Sequence, residues 1–593
     1  MASKDGAQYD AKSTDPPLLE KYSTVKSYTT TIATYDKLRI FYRKHPQTDN
    51  LPKDPPLPLL VFIHGLGGSV AQFNRILTSL TQNASCLAVD LPGCGLSEYI
   101  QTKWEAYSTD ALVELLETVI NDHREKGQRV VLIAHSMGCC LAALLANPRT
   151  MPKTDLHNSV LVLVAMCPPT IPSKDKVKLW RLQLWAPDFL FNIWRAWDRR
   201  GGIDSESIAR FVGPKADAEA KRLQLMFNHQ SRTPVFRRMA WGLLPTYQNG
   251  VPSGGLPENS IWTGLQVPVL LISGALDKIT PSSEVAKIHE LIEQSHTEPT
   301  NEAARGPPIE SPVSDLSLEP PVIMGDEVAS LATTSPITSP AASPRLAFKV
   351  SNEVEIPPLP LKPPRYVGWH EIQWAGHGLH FTERVVPGLI SDFLSNRISS
   401  RLSLGWQLQY LTRDGKWDVK NLEKWQSVEP VSDSIAGVFR AIKTLRHSDD
   451  THSPVKFTAK YGDFIKDVID ISHDTPVYDP QNLRDAGIAY HKVATVSKIP
   501  PPREEIDRFI ETVDRIRESR KEQAGSEKFE IGVHCHYGFN RTGFLIVCYL
   551  VEKCGYTVNA AIKHFAEARR PNGIKHAHFK DRLHVMYAQR NVD

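Results

Sequence analysis

The sequence predicts an α/β protein made of a doubly wound, mostly parallel sheet with a helical cap, plus a separate α/β domain. Three observations carry this. Five continuous apolar runs of strand length lie between residues 57 and 274, with helical stretches between most of them. That is the pattern of parallel strands covered on both faces. A Trp-rich helical stretch interrupts the rhythm over about 170–262. Finally, 593 residues exceed what one hydrophobic core holds, and fresh strand and helix signals appear beyond residue 405.

Taken in order, residues 1–27 are polar and expected to form a disordered tail. Residues 28–294 hold the first core, with strands in LPLLVFIH (57–64), ASCLAVDL (84–91), RVVLIAHS (129–136), SVLVLVAM (159–166) and VPVLLISG (267–274). Within the cap, VKLWRLQLWAPDFLFNIWRAW carries Trp180, Trp185, Trp194 and Trp197 among interleaved charges. It reads either as ordinary helical core or as a lid over a pocket with an apolar interior. Residues 295–362 are rich in Pro and Ser without helical or strand period, and are expected to be a disordered insertion. Its Ser335, Ser339 and Ser343 precede prolines and are candidate phosphorylation sites. Residues 363–398 return to the first core as a strand, a loop and an amphipathic helix, and 405–593 form the second domain.

A formal net charge of +3 favours no polyanionic partner by itself; only a local basic patch could. The opening MASKDGAQYDAKSTDPP lacks the apolar core of a secretion signal, and the longest apolar run, VLVLVAMC, is too short to span a bilayer. The expectation is a soluble intracellular protein of cytoplasm or nucleus, with no stable membrane insertion. Eight cysteines without a Cys-x-x-C pair argue against zinc and disulfides, so neither metal nor cofactor is expected.

Ser136 lies between the strand ending VVLIA and the helix beginning MGCCLAALLA. A sharp strand-to-helix elbow needs small neighbours, because its central residue takes strained backbone angles. Here the neighbours are Ala134 and Gly138, with Ala for the usual first Gly. A serine needs a base, and the base an orienting acid. SGALDKITP offers Asp277 after a strand, and WAGHGLHF offers His377, whose Ala-Gly-His setting favours it over His380. HGLGG (64–68) offers backbone N–H groups. With these motifs in this order, the region resembles the α/β-hydrolase family. The resemblance implies Ser136, Asp277 and His377 as a catalytic triad, Leu66 and Met137 as oxyanion-hole donors, and a small ester-like substrate.

The second candidate site is VHCHYGFNRTGF (533–544). A strand ends at Cys535, a helix starts near Thr542, and the loop between is His536, Tyr537, Gly538, Phe539, Asn540 and Arg541. Such a loop turns N–H groups and a helix N-terminus inward, a bed for a thiolate and a phosphoryl group. Arg541 can grip two phosphoryl oxygens, and Thr542 can stabilise the departing thiolate. His534 reads as an orienter. The stretch resembles the cysteine-dependent, dual-specificity-type phosphatases, and within them the RNA 5′-triphosphatase branch of animal-type mRNA capping enzymes. VIDISHDTPVYDPQNLRDAGIAYHKV (468–493) and EARRPNGIKHAHFKDRL (567–583) are similar to that branch as well.

Phosphatases acting on monoesters use a carboxylic acid to protonate the leaving alkoxide. KVATVSKIPPP (492–502), where it would sit, has no Asp or Glu, and Glu504 and Glu505 read as the start of a helix. A phosphoanhydride leaves as a stabilised phosphate and needs that proton far less. The triphosphatase branch lacks the acid too. The expected substrate is therefore a polyphosphorylated RNA 5′ end. A phosphoprotein (dual-specificity or tyrosine phosphatase activity) is the alternative, and a catalytically inactive ligand-binding scaffold is another. Lys498 reads as a surface lysine that could reach a polyphosphate. Arg569, Arg570, Lys575, Lys580 and Arg582 read as a solvated helix face or as a patch for a charged substrate. Oligomeric state is not legible.

Overall fold

The computed structural model describes residues 15–148, 156–170, 173–213, 216–248, 251–253, 255–256, 260–297, 356–411, 419–472, 476–523, 529–571 and 573–588. Residues 1–14 of the tail expected at 1–27, and residues 298–355 of the insertion expected at 295–362, with Ser335, Ser339 and Ser343, lie outside the described residues. Among the described residues, those up to 296 and from 356 onward form one compact unit with an eight-stranded sheet, a four-stranded sheet and a two-stranded hairpin.

The first sheet comprises β1 (Ser23–Thr29), β2 (Thr34–Arg43), β3 (Leu59–Ile63), β4 (Cys86–Val89), β5 (Val130–His135), β6 (Val160–Met166), β9 (Val269–Gly274) and β10 (Val367–Ile372). Their spatial order is β1-β2-β4-β3-β5-β6-β9-β10. β1–β2 and β2–β4 pair antiparallel and the other neighbours parallel. β3, β5, β6 and β9 are buried along their whole length, as continuous apolar runs require of strands covered on both faces. The cap runs through helices Lys174–Trp185, Asp188–Asp198, Glu206–Val212, Ala218–Gln230 and Thr233–Gly242, then a small hairpin of β7 (Thr246–Gln248) and β8 (Val251–Ser253).

Two sequence expectations need correction. Residues 15–27 are not tail: Pro17–Tyr22 is helical with Leu19 buried, Ser23 opens β1, and Asp15 pairs with Arg39 at 2.6 Å. A polar edge strand is held by backbone pairing, which composition does not reveal. Likewise 356–362 packs on the body. Leu359 is buried, Pro358 O accepts from Ser399 Oγ (2.9 Å), and Leu361 O accepts from Arg129.

The second sheet is fully parallel, ordered β11 (Phe439–Ile442), β14 (Glu530–His534), β12 (Ile465–Asp470) and β13 (Ala489–Lys492). Helix Asn540–Lys553 crosses it with eleven buried residues, Arg541 through Val551. The two sheets have separate cores, yet the last helix, Ala577–Met586, joins them. It packs on Val386–Phe393, where a Cβ on Gly388 would stand 2.7 Å from Val585 Cγ2 and 2.9 Å from Asp581 O. Arg582 pairs with Asp392 at 2.9 Å, and Ser79 Oγ donates to Asp581 Oδ2 at 2.6 Å. Helix Leu404–Leu411 also touches the first part of the chain, through Gln407 Nε2 donating to Asn83 O (2.7 Å).

Burial at this joint pushes the Asp581 carboxyl from 3.8 up to about 6, against the pull of the Ser79 hydroxyl and Lys580. A carboxyl whose folded pKa is raised favours the folded state below about 3.8 and loses that contribution as pH rises to about 6. An Asp581→Asn variant, which does not titrate, therefore gains stability relative to the parent between those values, by on the order of 1 kcal/mol. Denaturant melts of both proteins across this range check it; parallel pH curves would refute it.

Candidate active sites

Ser136 stands at the elbow between β5 and helix Met137–Ala146 with φ 52° and ψ −125°, a conformation strained for any residue with a side chain. Two glycines make the turn possible. A Cβ on Gly138 would lie 2.3 Å from Ile63 O, and one on Gly65 2.9 Å from Ser136 Cβ. The strain lifts Ser136 Oγ out of the sheet towards the loop after β10.

That loop brings His377 to it. Asp277 can only accept, so His377 Nδ1–H donates to Asp277 Oδ2 at 2.8 Å, and Nε2 is left to accept from Ser136 Oγ–H at 3.0 Å. Asp277 is itself held. Its Oδ1 accepts from the N–H of Ile279 (2.8 Å) and Thr280 (3.0 Å), and Thr280 Oγ1 donates to Oδ2 (2.7 Å). Burial alone would raise the Asp277 carboxyl; the His377 and Thr280 bonds outweigh it and hold it below the usual carboxylate value. An imidazole so oriented can take the serine proton while its positive charge is balanced. The expected rival, His380, is turned into the core, stacked on His135 at 3.7 Å between ring centroids, and burial first of all depresses its basicity.

Leu66 lies in the turn after β3 and Met137 at the helix start, on either side of the elbow. The first N–H groups of a helix have no intrahelical partner. His64 fixes the turn, with Nδ1–H donating to Gly65 O (2.8 Å) and Nε2 accepting from Leu91 N–H (2.9 Å). Asp90 braces it from behind, accepting from Val70 N–H (2.6 Å), Leu96 N–H (2.9 Å) and Arg39 (3.2 Å). Nothing in the motif spacing pointed to Asp90 or Arg39, because the Asp90 carboxylate accepts from backbone N–H groups that any residue type could supply, and Arg39 reaches it from a strand 51 positions earlier in the chain. The cap closes over the loops. Phe211 lies edge-on to His377 at 5.5 Å, and its carbonyl accepts from Gly378 N–H at 2.7 Å. Among the described residues, His135, Cys167 and His377 also bring potential metal ligands within 4.8 Å of one another. There His377 is already bonded at both ring nitrogens, and His135 Nε2–H donates to His377 O (2.9 Å).

In the second sheet β14 delivers Cys535 to the loop. Burial alone would raise its thiol, but the Arg541 charge, the Thr542 hydroxyl and the N–H groups of Gly538 and Thr542 outweigh burial and hold it below its ordinary value. Gly538 has φ 70°, and a Cβ there would lie 2.4 Å from Ile442 O, so this loop position accepts no side chain. Arg541 Nη1–H donates to Thr495 O at 2.8 Å. His534 takes the orienting place: Nδ1–H donates to Cys535 O (3.0 Å), and Nε2 accepts from Tyr478 O–H (2.7 Å). Asn540 Oδ1 accepts from the N–H of Lys575 (2.7 Å) and His576 (3.1 Å), tying the loop to the C-terminal basic segment. His536 O accepts from Thr444 N–H (3.0 Å), and Tyr537 and Phe539 turn their rings towards Lys424 and Lys575.

The expected basic patch is taken apart. Arg569 is fully buried and braces the loop, donating to Tyr537 O (2.8 Å), Gly538 O (3.3 Å) and Glu429 O (2.8 Å). Arg582 is bound to Asp392. Lys575 and Lys580 line a cavity of about 590 Å³ with Ala566, Pro571 and Ile574. A different cation cluster forms in its place. Lys498 is half-buried with φ 69°; burial, then Lys424 and Arg541, lower its basicity. Lys575 is lowered by burial, Lys424 and Arg569. His576 falls to about 4 through burial and the charges of Lys498, Lys424 and Lys575. Lys424, from helix Val419–Gln426, was missed by sequence reasoning because it lies 111 positions before Cys535 and no motif spans that distance.

Comparison with known proteins matches residues 60–306 to the alpha/beta hydrolase family and residues 448–589 to the dual specificity phosphatase catalytic domain. The chain is thus a fusion of an α/β-hydrolase domain with a dual-specificity-type phosphatase domain. The first is 27% identical over 244 residues to an abhydrolase domain-containing protein of Schizosaccharomyces pombe, covering 40% of this chain and 61% of the relative. The second is related to the mRNA-capping enzyme of Danio rerio (32% over 170 residues, 27% of each chain). It is also related to the RNA/RNP complex-1-interacting phosphatase of Homo sapiens (31% over 159 residues, 25% of this chain and 47% of the relative). The chain therefore spans less than two thirds of each of these relatives. No helix among the described residues is long and apolar enough to cross a membrane.

Proposed function

We propose that the chain is a two-site hydrolase. Cys535 attacks the terminal phosphoryl group of a polyphosphorylated RNA 5′ end and displaces the RNA with one phosphate fewer, leaving a phosphocysteine that water then hydrolyses to inorganic phosphate and the free thiolate. Arg541 holds the transferred phosphoryl oxygens, and Thr542 stabilises the thiolate as it leaves. In the first domain Ser136 attacks an ester-like carbonyl, with His377 as base, Asp277 as its orienter, and the N–H groups of Leu66 and Met137 facing the oxyanion. Neither step calls for a metal or cofactor.

One observation carries the choice of phosphoanhydride over monoester. The loop 492–502 presents no carboxylic acid, and places Lys498 within electrostatic reach of Arg541 and Lys424. After burial, the Lys424 charge lowers the basicity of both Lys498 and Lys575, as a nearby like charge does. A second and third phosphate would relieve that repulsion; a single phosphotyrosine would not reach it. The names of the relatives, a capping enzyme and an RNA/RNP-interacting phosphatase, agree with an RNA substrate.

The test compares phosphate release by the full-length chain from 5′-triphosphorylated RNA and from a phosphotyrosine peptide. The RNA is expected to react faster. A Lys424→Gln/Lys498→Gln variant is expected to lose about tenfold or more in kcat/KM for RNA, and much less for the peptide. Faster release from the peptide, or an equal loss on both substrates, would refute the polyphosphate reading and leave a protein phosphatase.

A further inference from the structure

The cap holds a surface that neither active site uses. The four tryptophans read from sequence as possible helical core are not core: each is about half exposed or more. They share two consecutive helices, Lys174–Trp185 and Asp188–Asp198, with other large apolar residues that face water. Leu182 is 70% exposed, Trp185 77%, Ile193 63% and Trp197 61%. Asp188–Asp198 buries none of its residues; Phe189, Ile193 and Trp197 recur at four-residue spacing, which puts them on one face. Only Val177 and Leu184 of the preceding helix are buried, beside Leu244. A soluble monomer rarely shows so many large apolar side chains together without a partner for them.

The charges beside this face say which partner. Asp188 is neutralised by Arg237 and Asp198 by Arg210. That leaves Asp175 alone against Lys174, Lys176, Lys178, Arg199 and Arg200, none of which is in an ion pair among the described residues. Trp with Leu and Ile on one side and Lys and Arg at the margins is the composition of a helix lying in a lipid headgroup layer. A second copy of the same face would set like charge against like in a two-fold contact. The chain's own 298–355 is acidic, but has no amphipathic period with which to offer an apolar face.

The geometry points to a docking surface for a phospholipid layer with anionic headgroups, made by residues 174–200 of the cap. The apolar side chains enter the headgroup boundary while the basic residues meet lipid phosphate and carboxylate. Because Phe211 of the same cap touches His377, docking holds the Ser136 site at the lipid surface, where a water-insoluble ester would be met.

The full-length protein is to be floated with phosphatidylcholine vesicles, with and without phosphatidylserine. A Leu182→Ser/Trp185→Ser/Ile193→Ser/Trp197→Ser variant serves as comparison; these positions are exposed, so its melting temperature should match the parent. The parent is expected to float with the anionic vesicles, less so at high salt, and its tryptophan emission to move to shorter wavelength. The variant should lose about tenfold or more in vesicle affinity. Flotation needs no catalysis, so the outcome is independent of the hydrolase reading. Several results would overturn the proposal: no flotation of the parent, equal flotation of the variant, flotation that appears only after deletion of 298–355, or a parent dimer that the variant breaks and that ignores vesicles.

Discussion

Replacing Cys535 with serine in the full-length chain is expected to lower phosphate release from 5′-triphosphorylated RNA by about ten-thousand-fold or more. The loop at Cys535 is organised to hold a thiolate. Arg541, the Thr542 hydroxyl and two backbone N–H groups overcome the burial that would otherwise keep the thiol protonated. A serine hydroxyl in the same place stays protonated at any working pH, and His534 is not free to act as its base, since it spends both ring nitrogens on Tyr478 and the Cys535 carbonyl. The phosphate bed is intact in the variant, because Arg541, Gly538 and Asn540 are held by contacts that do not involve the sulfur. The variant should therefore still bind inorganic phosphate while forming no phosphocysteine on rapid quench. The thiol's lowered pKa also sets a pH profile. In the parent, kcat/KM should rise through an ionisation below the ordinary cysteine value of 9.0. Activity within about tenfold of the parent, or a variant unable to bind phosphate, would end the covalent mechanism.

Ser136→Ala is expected to abolish hydrolysis of a water-soluble p-nitrophenyl ester and labelling by a fluorophosphonate, while phosphate release is unchanged. Asp277→Asn should come close to it, by about a thousandfold or more. The carboxylate is what keeps the proton on His377 Nδ1 and so leaves Nε2 free for Ser136 Oγ. An amide can donate to Nδ1, which selects the tautomer that cannot accept the serine proton. Label found on a residue other than Ser136, or an Asp277→Asn enzyme of nearly parental rate, would refute the triad. Because the two sites lie on different sheets, each variant is the control for the other's folding.

How much of this was legible depended on how local each signal was. The elbow at Ser136 and the loop at Cys535 were readable because a strand, a turn and a helix lie within a dozen residues, and their chemistry needs fixed residue types at fixed spacing. Asp277 and His377, 100 positions apart, were readable because Asp277 follows an apolar run of strand length and His377 sits in an Ala-Gly-His loop after a strand. Arg569 shows the opposite. In sequence it is one arginine of a basic run; in the structure it is buried, and its guanidinium carries three carbonyls, two of them from the phosphate loop. Lys424 and Thr495 gave no signal either, since a backbone carbonyl that accepts from Arg541 can belong to any residue type.

The sequence by itself determined the two kinds of domain and the places of their candidate nucleophiles at strand ends, because turn glycines and buried apolar runs are imposed by backbone geometry and solvent over a few residues. Tertiary structure alone decided the rest: that 15–27 completes the first sheet, that Ala577–Met586 ties the phosphatase domain to the hydrolase, that Lys424, Lys498 and Lys575 converge, and that the cap's tryptophans face outward. Each of these depends on which surfaces meet after folding. Burial and charge coupling are properties of that meeting rather than of any residue's neighbours in the chain.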